Sequence, residues 1–224
     1  MMRDQYEKQL LELNKSMMEM GGLCEDAITI AVQALHEDNP ELAAQVAEID
    51  SKIDRLERDI EAQCMRLLLK QQPVARDLRA VSAALKMVTD MERIGDQAED
   101  IVEILPYLKQ CDGKEMMVIY EMEKAVIHMV TASIDAYVRQ NTVIAEQVIA
   151  DDDYVDTLFD KSKKALIDLI AADPANGECA IDLLMVCKYL ERIGDHATNV
   201  AEWVIFSVVG EHTKESPDQK MPSK

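Results

Sequence analysis

The chain has 224 residues, enough for one large or two small domains, with 48% hydrophobic and only 4% aromatic residues. Its 43 Asp and Glu against 24 Lys and Arg leave a net charge of −19. That balance argues against binding to a nucleic-acid backbone, disfavours direct adhesion to anionic lipid, and points to metal cations or basic protein surfaces. Few glycines and prolines, with abundant Leu, Ala, Glu, Met, Lys and Gln, make this a helical composition.

Apolar periodicity predicts a first helix over about residues 3–36, which Gly21-Gly22 loosens midway. Asn39 and Pro40 read as the N-cap and first position of a second helix, about 40–71. Leu42, Val46, Ile49, Ile53, Leu56, Ile60, Cys64 and Leu67 form its apolar stripe, and Asp50, Asp54 and Glu57 an acidic one. A third helix starts near Pro73 and runs to about Leu108. Cys111-Asp112-Gly113-Lys114 then reads as the clearest boundary in the chain.

The pattern repeats in helices over about 114–139, 141–172 and 178–209, before a polar tail expected to be disordered. Asp152 and Asp156 in the fifth helix echo Asp50 and Asp54 in the second. Short connections between long helices imply antiparallel neighbours. The expected architecture is all-α, two tandem three-helix bundles: residues 1–110, residues 111–210 and a tail over 211–224.

The third and sixth helices carry one phrase twice. Residues 90–103 read DMERIGDQAEDIVE and residues 189–202 read YLERIGDHATNVAE, a shift of 99 positions. Glu92, Asp96 and Asp100 stand four apart, with Glu99 and Glu103 in the same arc; Glu191, Asp195, Asn199 and Glu202 fill the equivalent arc. Like charges at this spacing cost roughly 0.2–0.5 kcal/mol per pair. Arg93 and Arg192 reach the acid three residues on but cannot balance the arc. A solvated acidic face is the plain reading of one such run; its repetition with the glycine favours a multivalent cation held by oxygen ligands.

Opposite that arc, Met87, Met91, Ile94, Ala98, Ile101 and Leu105 form an apolar stripe that Val186, Leu190, Ile193, Ala197, Val200 and Val204 repeat. Upstream, Leu78, Val81, Leu85 and Val88 add a second apolar side. The acids are therefore expected at the surface or in a groove, outside a sealed core. Gly95 and Gly194 interrupt both helices at about 1 kcal/mol each relative to Ala. A close helix crossing is the favoured reason, an approaching ligand the other.

The five cysteines are scattered and never C-x-x-C, reading as small buried residues in a reducing compartment. The N-terminus is charged from its third residue and reads as no signal peptide, and no apolar run reaches the ~18 residues of a membrane span. The expected location is the cytoplasm.

With LERIGDHATNVAEWV, MERIGDQAEDI, QQPVARDLRAVSAALK and the echoing middle-helix acids, the chain resembles the PhoU family of phosphate-uptake regulators over nearly its whole length. The resemblance implies two three-helix bundles, a cytoplasmic homodimer and metal held by E/D-x-x-x-D-x-x-x-D/N. Implied partners are the ATPase subunit of a phosphate ABC transporter and a phosphate-sensing histidine kinase, with uptake dampened when phosphate is plentiful. By residue match, Glu92, Asp96 and Asp100 form one metal site and Glu191, Asp195 and Asn199 the other. Glu99, Glu103, Glu202, Asp50, Asp54, Asp152 and Asp156 are secondary candidates. Tyr189 and Asn199 replace acids of the first copy, so the second site should be weaker unless His196, Asp152 or Asp156 compensates. Oxygen ligands suit magnesium, calcium, manganese or ferric iron, and leave zinc open.

Two other readings stand beside this one. A di-metal carboxylate enzyme needs Glu-x-x-His pairs, and none occurs: Glu123 to His128 and Glu191 to His196 are both five apart. No phosphate loop, nucleophile elbow or paired His ligands accompany the acids, so the chain reads as a non-enzyme. A metal-free helical adaptor is the third reading.

Overall fold

Long amphipathic segments dictate this architecture. The computed structural model describes residues 2–71, 73, 75–108 and 116–210. Among these residues there are six long helices and no strand: α1 (Met2–Glu37), α2 (Pro40–Gln71), α3 (Arg76–Glu103), α4 (Met116–Arg139), α5 (Thr142–Ala172) and α6 (Gly177–Val209). Short 3-10 turns follow α3 (Leu105–Tyr107) and precede α6 (Pro174–Asn176).

The caps match the sequence chemistry. Asn39 Oδ1 accepts from the backbone amides of Glu41 (3.0 Å) and Leu42 (3.4 Å), and Pro40 takes the first helical position. Asn141 does the same for α5 through Val143 and Ile144. Three details differ from expectation, the first being that α3 ends at Glu103 and passes into a 3-10 turn before Leu108. α3 begins at Arg76, after Ala75 adopts a left-handed φ of 49° that ends continuity from Pro73. α1 is unbroken through Gly21-Gly22; Gly21 instead lets α4 approach, and a β-carbon there would lie 3.0 Å from Ile134 Cγ1. The expected boundary at Cys111–Lys114 and the expected tail over 211–224 lie outside the described residues.

α1, α2 and α3 pack on one another, as do α4, α5 and α6, giving the two three-helix bundles. The bundles also pack together, α3 running antiparallel against α6 and α1 against α4. Both apolar stripes are buried throughout, so one core runs through both bundles. Of the second stripe on α3, Val81 and Val88 are buried, whereas Leu78 is 44% exposed. The Cys24 thiol donates to the Met91 carbonyl (3.3 Å), and His36 stacks on Tyr120 with ring centroids 3.5 Å apart.

Cys24, Cys64 and Cys187 are buried free thiols, as expected. Cys179 departs from the reading of five reduced cysteines: it is disulfide-bonded and only part-buried. No helix among the described residues is long and apolar enough to cross a membrane.

Candidate functional site

Part of each acidic arc faces the middle helix of its own bundle. In the first bundle α3 turns Glu92, Asp96 and Glu99 toward Asp50, Asp54 and Glu57 on α2. All six are part-buried, so they line a groove instead of a free surface. The close approach is made by Gly95, where a β-carbon would stand 2.9 Å from Ile53 Cδ1 and 3.0 Å from Asp50 Oδ1. Of the two reasons offered for this glycine, the close crossing is the one seen: Ile53 and the Asp50 carboxylate both pack against it.

The electrostatics follow from that crowding. Burial first, then Glu99, Asp54, Asp96 and Glu92, push the Asp50 carboxyl up to about 7. Burial raises Glu57, Glu92 and Glu99 as well, with neighbouring carboxylates adding to each. Arg93 lies 3.4 Å from Glu92 and 3.3 Å from Asp96, and Arg58 lies 3.5 Å from Asp54. Two exposed arginines are too few for six acids.

The second groove repeats the layout with different residues. α6 brings Glu191, Asp195 and Thr198 toward Asp152 and Asp156 of α5. Burial first, then Asp195 and Asp156, push Asp152 up to about 6, while the Thr198 hydroxyl favours its ionised form. A β-carbon at Gly194 would meet Asp152 Oδ1 at 3.4 Å and Val155 Cγ1 at 3.5 Å, so this crossing is looser. Glu191 is ion-paired to Lys188.

The last member of each predicted trio points elsewhere. Asp100 is raised by burial, Glu103 and Asp96 and opposed by Arg192 of α6, so it faces the other bundle. Asn199 Nδ2 donates to Asp90 Oδ1 of α3 at 3.0 Å, and His196 Nδ1 lies 3.0 Å from the same oxygen. Residues i, i+4 and i+7 therefore face the middle helix, while i+8 has rotated about 80° away at 100° per residue. Glu103 is exposed at the groove end, and Glu202 is part-exposed on α6. Of the secondary candidates, Asp50, Asp54 and Glu99 share the first groove and Asp152 and Asp156 the second.

The donor set fits a hard cation in kind and number, and one observation favours it beyond charge: Asp50 Oδ1 is buried without a hydrogen-bond partner. Among the described residues no three Asp, Glu, His or Cys side chains already converge on one point, so coordination requires side-chain rotation. Sequence reading overlooked Asp90 as a cross-bundle acceptor. The repeat marks Asp90 only by its replacement with Tyr189, which names no partner.

Comparison with known proteins agrees with the repeat. The PhoU domain family model matches residues 17–105 and again 119–204. The chain belongs to the PhoU family. Relatives named phosphate-specific transport system accessory protein PhoU homolog include one from Aquifex aeolicus, 39% identical over 92% of this chain and 94% of its own. Another, from Clostridium acetobutylicum, is 36% identical over 94% of this chain and 97% of its own. The crystal structure of PhoU from Pseudomonas aeruginosa superposes with a TM-score of 0.87 at 33% identity, covering 92% of this chain and all of that one. These relatives carry the names of accessory proteins, not of enzymes.

Proposed function

We propose that this chain is a cytoplasmic accessory regulator of a phosphate transport system, acting by protein contact and not by catalysis. On this reading it dampens uptake when phosphate is plentiful, through the transporter's ATPase subunit, a phosphate-sensing histidine kinase, or both. Metal ions in the acidic grooves and a homodimeric state belong to the same proposal.

The observation that carries the reading is the double PhoU domain, which leaves little of the chain for any other activity. The groove chemistry supports the metal. A bound cation would supply the positive charge that Asp50, Asp54, Glu57, Glu92, Asp96 and Glu99 lack, drawing α2 and α3 together where like charges otherwise oppose. The net charge of −19 supports a basic partner surface.

A deletion strain tests the function. In phosphate-rich medium, cells lacking this chain should take up labelled phosphate at the rate of starved cells. Normal repression in the deletion strain would overturn the proposal.

A further inference from the structure

We infer that the two grooves are unequal cation sites, a tight one between α2 and α3 and a weak, exchanging one between α5 and α6. The residue at the third groove position, Glu99 in one and Thr198 in the other, sets the difference. This rests on the cation-binding reading above and adds a ranking and its determinant.

Three register-matched differences carry the inference. Where the first groove has the Glu99 carboxylate, the second has the Thr198 hydroxyl. Thr198 is 9% exposed, its Oγ1 has no hydrogen-bond partner of regular geometry, and it sits beside the Asp152 carboxylate. A buried hydroxyl beside a carboxylate groove, leaning on Asp152, is a neutral ligand position. Second, Glu57 on α2 corresponds to Phe159 on α5, whose ring carries the Lys188 ammonium 5.4 Å from its centroid. Third, that same Lys188 is ion-paired to Glu191, where α3 has Thr89 in the corresponding place before Glu92.

The first groove thus offers six carboxylates. The second offers four, one paired to Lys188, against three of the first groove's six that are paired to Arg93 and Arg58. His196 and Asn199, the polar residues nearest to making up the deficit, are both spent on Asp90 of α3. Affinity of an oxygen site for a hard divalent ion follows its carboxylate count. The α5/α6 groove should bind about tenfold or more weakly and empty first as the cation falls.

The full chain, stripped with chelator and titrated with Mn²⁺ while free ion is read by electron paramagnetic resonance, tests this. Two classes of site are expected, Asp50→Asn removing only the tight class and Asp152→Asn only the weak one. Thr198→Glu should tighten the weak class about tenfold. Because a buried glutamate can disturb folding, Glu99→Thr is the companion variant, weakening the tight class by a similar factor. One class of equal sites, or variants that leave both affinities unchanged, would overturn the inference while leaving cation binding intact. No bound Mn²⁺ at all would overturn the cation-binding reading itself.

Discussion

His196 of α6 and Asp90 of α3 meet across the boundary between the bundles, Nδ1 to Oδ1 at 3.0 Å. A carboxylate only accepts, so Nδ1 must carry the proton, and Asn199 Nδ2 donates to the same oxygen. The contact lies on the antiparallel α3/α6 packing, which fixes how the two grooves sit relative to each other. A double-mutant cycle with Asp90→Ala and His196→Ala, read by chemical denaturation, should give a coupling of about 0.5–1.5 kcal/mol. Strict additivity would show that the pair does not tie the bundles.

The two helix-interior glycines should respond oppositely to alanine. At Gly95 the new methyl would strike Ile53, itself fully buried, and Asp50 at 2.9–3.0 Å. Overpacking of this kind costs about 1–3 kcal/mol, more than the ~1 kcal/mol that alanine gains in a helix. At Gly194 the nearest atom is 3.4 Å away, ordinary contact, so the propensity gain survives. Gly95→Ala should lower Tm and Gly194→Ala raise it; the same sign for both would contradict the packing.

Stability should depend on pH in a direction set by Asp50. Its folded carboxyl titrates near 7 against an ordinary 3.8, so between those values the folded chain holds a proton that the unfolded chain has released. The contribution is full below the ordinary value and lost as pH rises through about 7. Asp152 acts with the same sign up to about 6. In chelator-treated protein, Tm should fall from about pH 5 to pH 8, and Asp50→Asn should flatten that fall. An unchanged slope in the variant would show that Asp50 is not the crowded group.

The groove register separates sequence from structure. Repeat spacing marked Glu92, Asp96 and Asp100 as a trio, yet α3 turns Glu99 toward Asp50 and Asp100 toward Arg192. Glu99→Gln should therefore weaken Mn²⁺ binding more than Asp100→Asn, read by equilibrium dialysis. The reverse order would restore the i, i+4, i+8 trio.

What was legible in the sequence was local. Asn39 and Asn141 announced their caps, the 3.6-residue stripes placed Met91 and Ile193 in the core, and Gly95 flagged a close crossing. The Asp90–His196 contact was not legible, because it spans 106 residues and depends on how two finished bundles dock. Gly21 misled for the same reason: its effect on α1 alone is loosening, but Ile134 of α4 fills the space it leaves. The roles of Glu99 and Thr198 required the helix rotation that only the α2 and α5 contacts define.

If the acidic grooves carry the proposed regulation of phosphate uptake, their carboxylates are needed for repression. The most direct measurement is labelled phosphate uptake in phosphate-rich medium, in a deletion strain complemented with the wild-type chain or with Asp50→Asn/Asp96→Asn. The double variant removes two mutually repelling charges, so it should keep the helical circular dichroism of the folded protein with a Tm no lower than that of the wild-type chain. The wild-type chain should restore low uptake and the double variant should leave uptake high. Full repression by a folded double variant would contradict that role of the grooves.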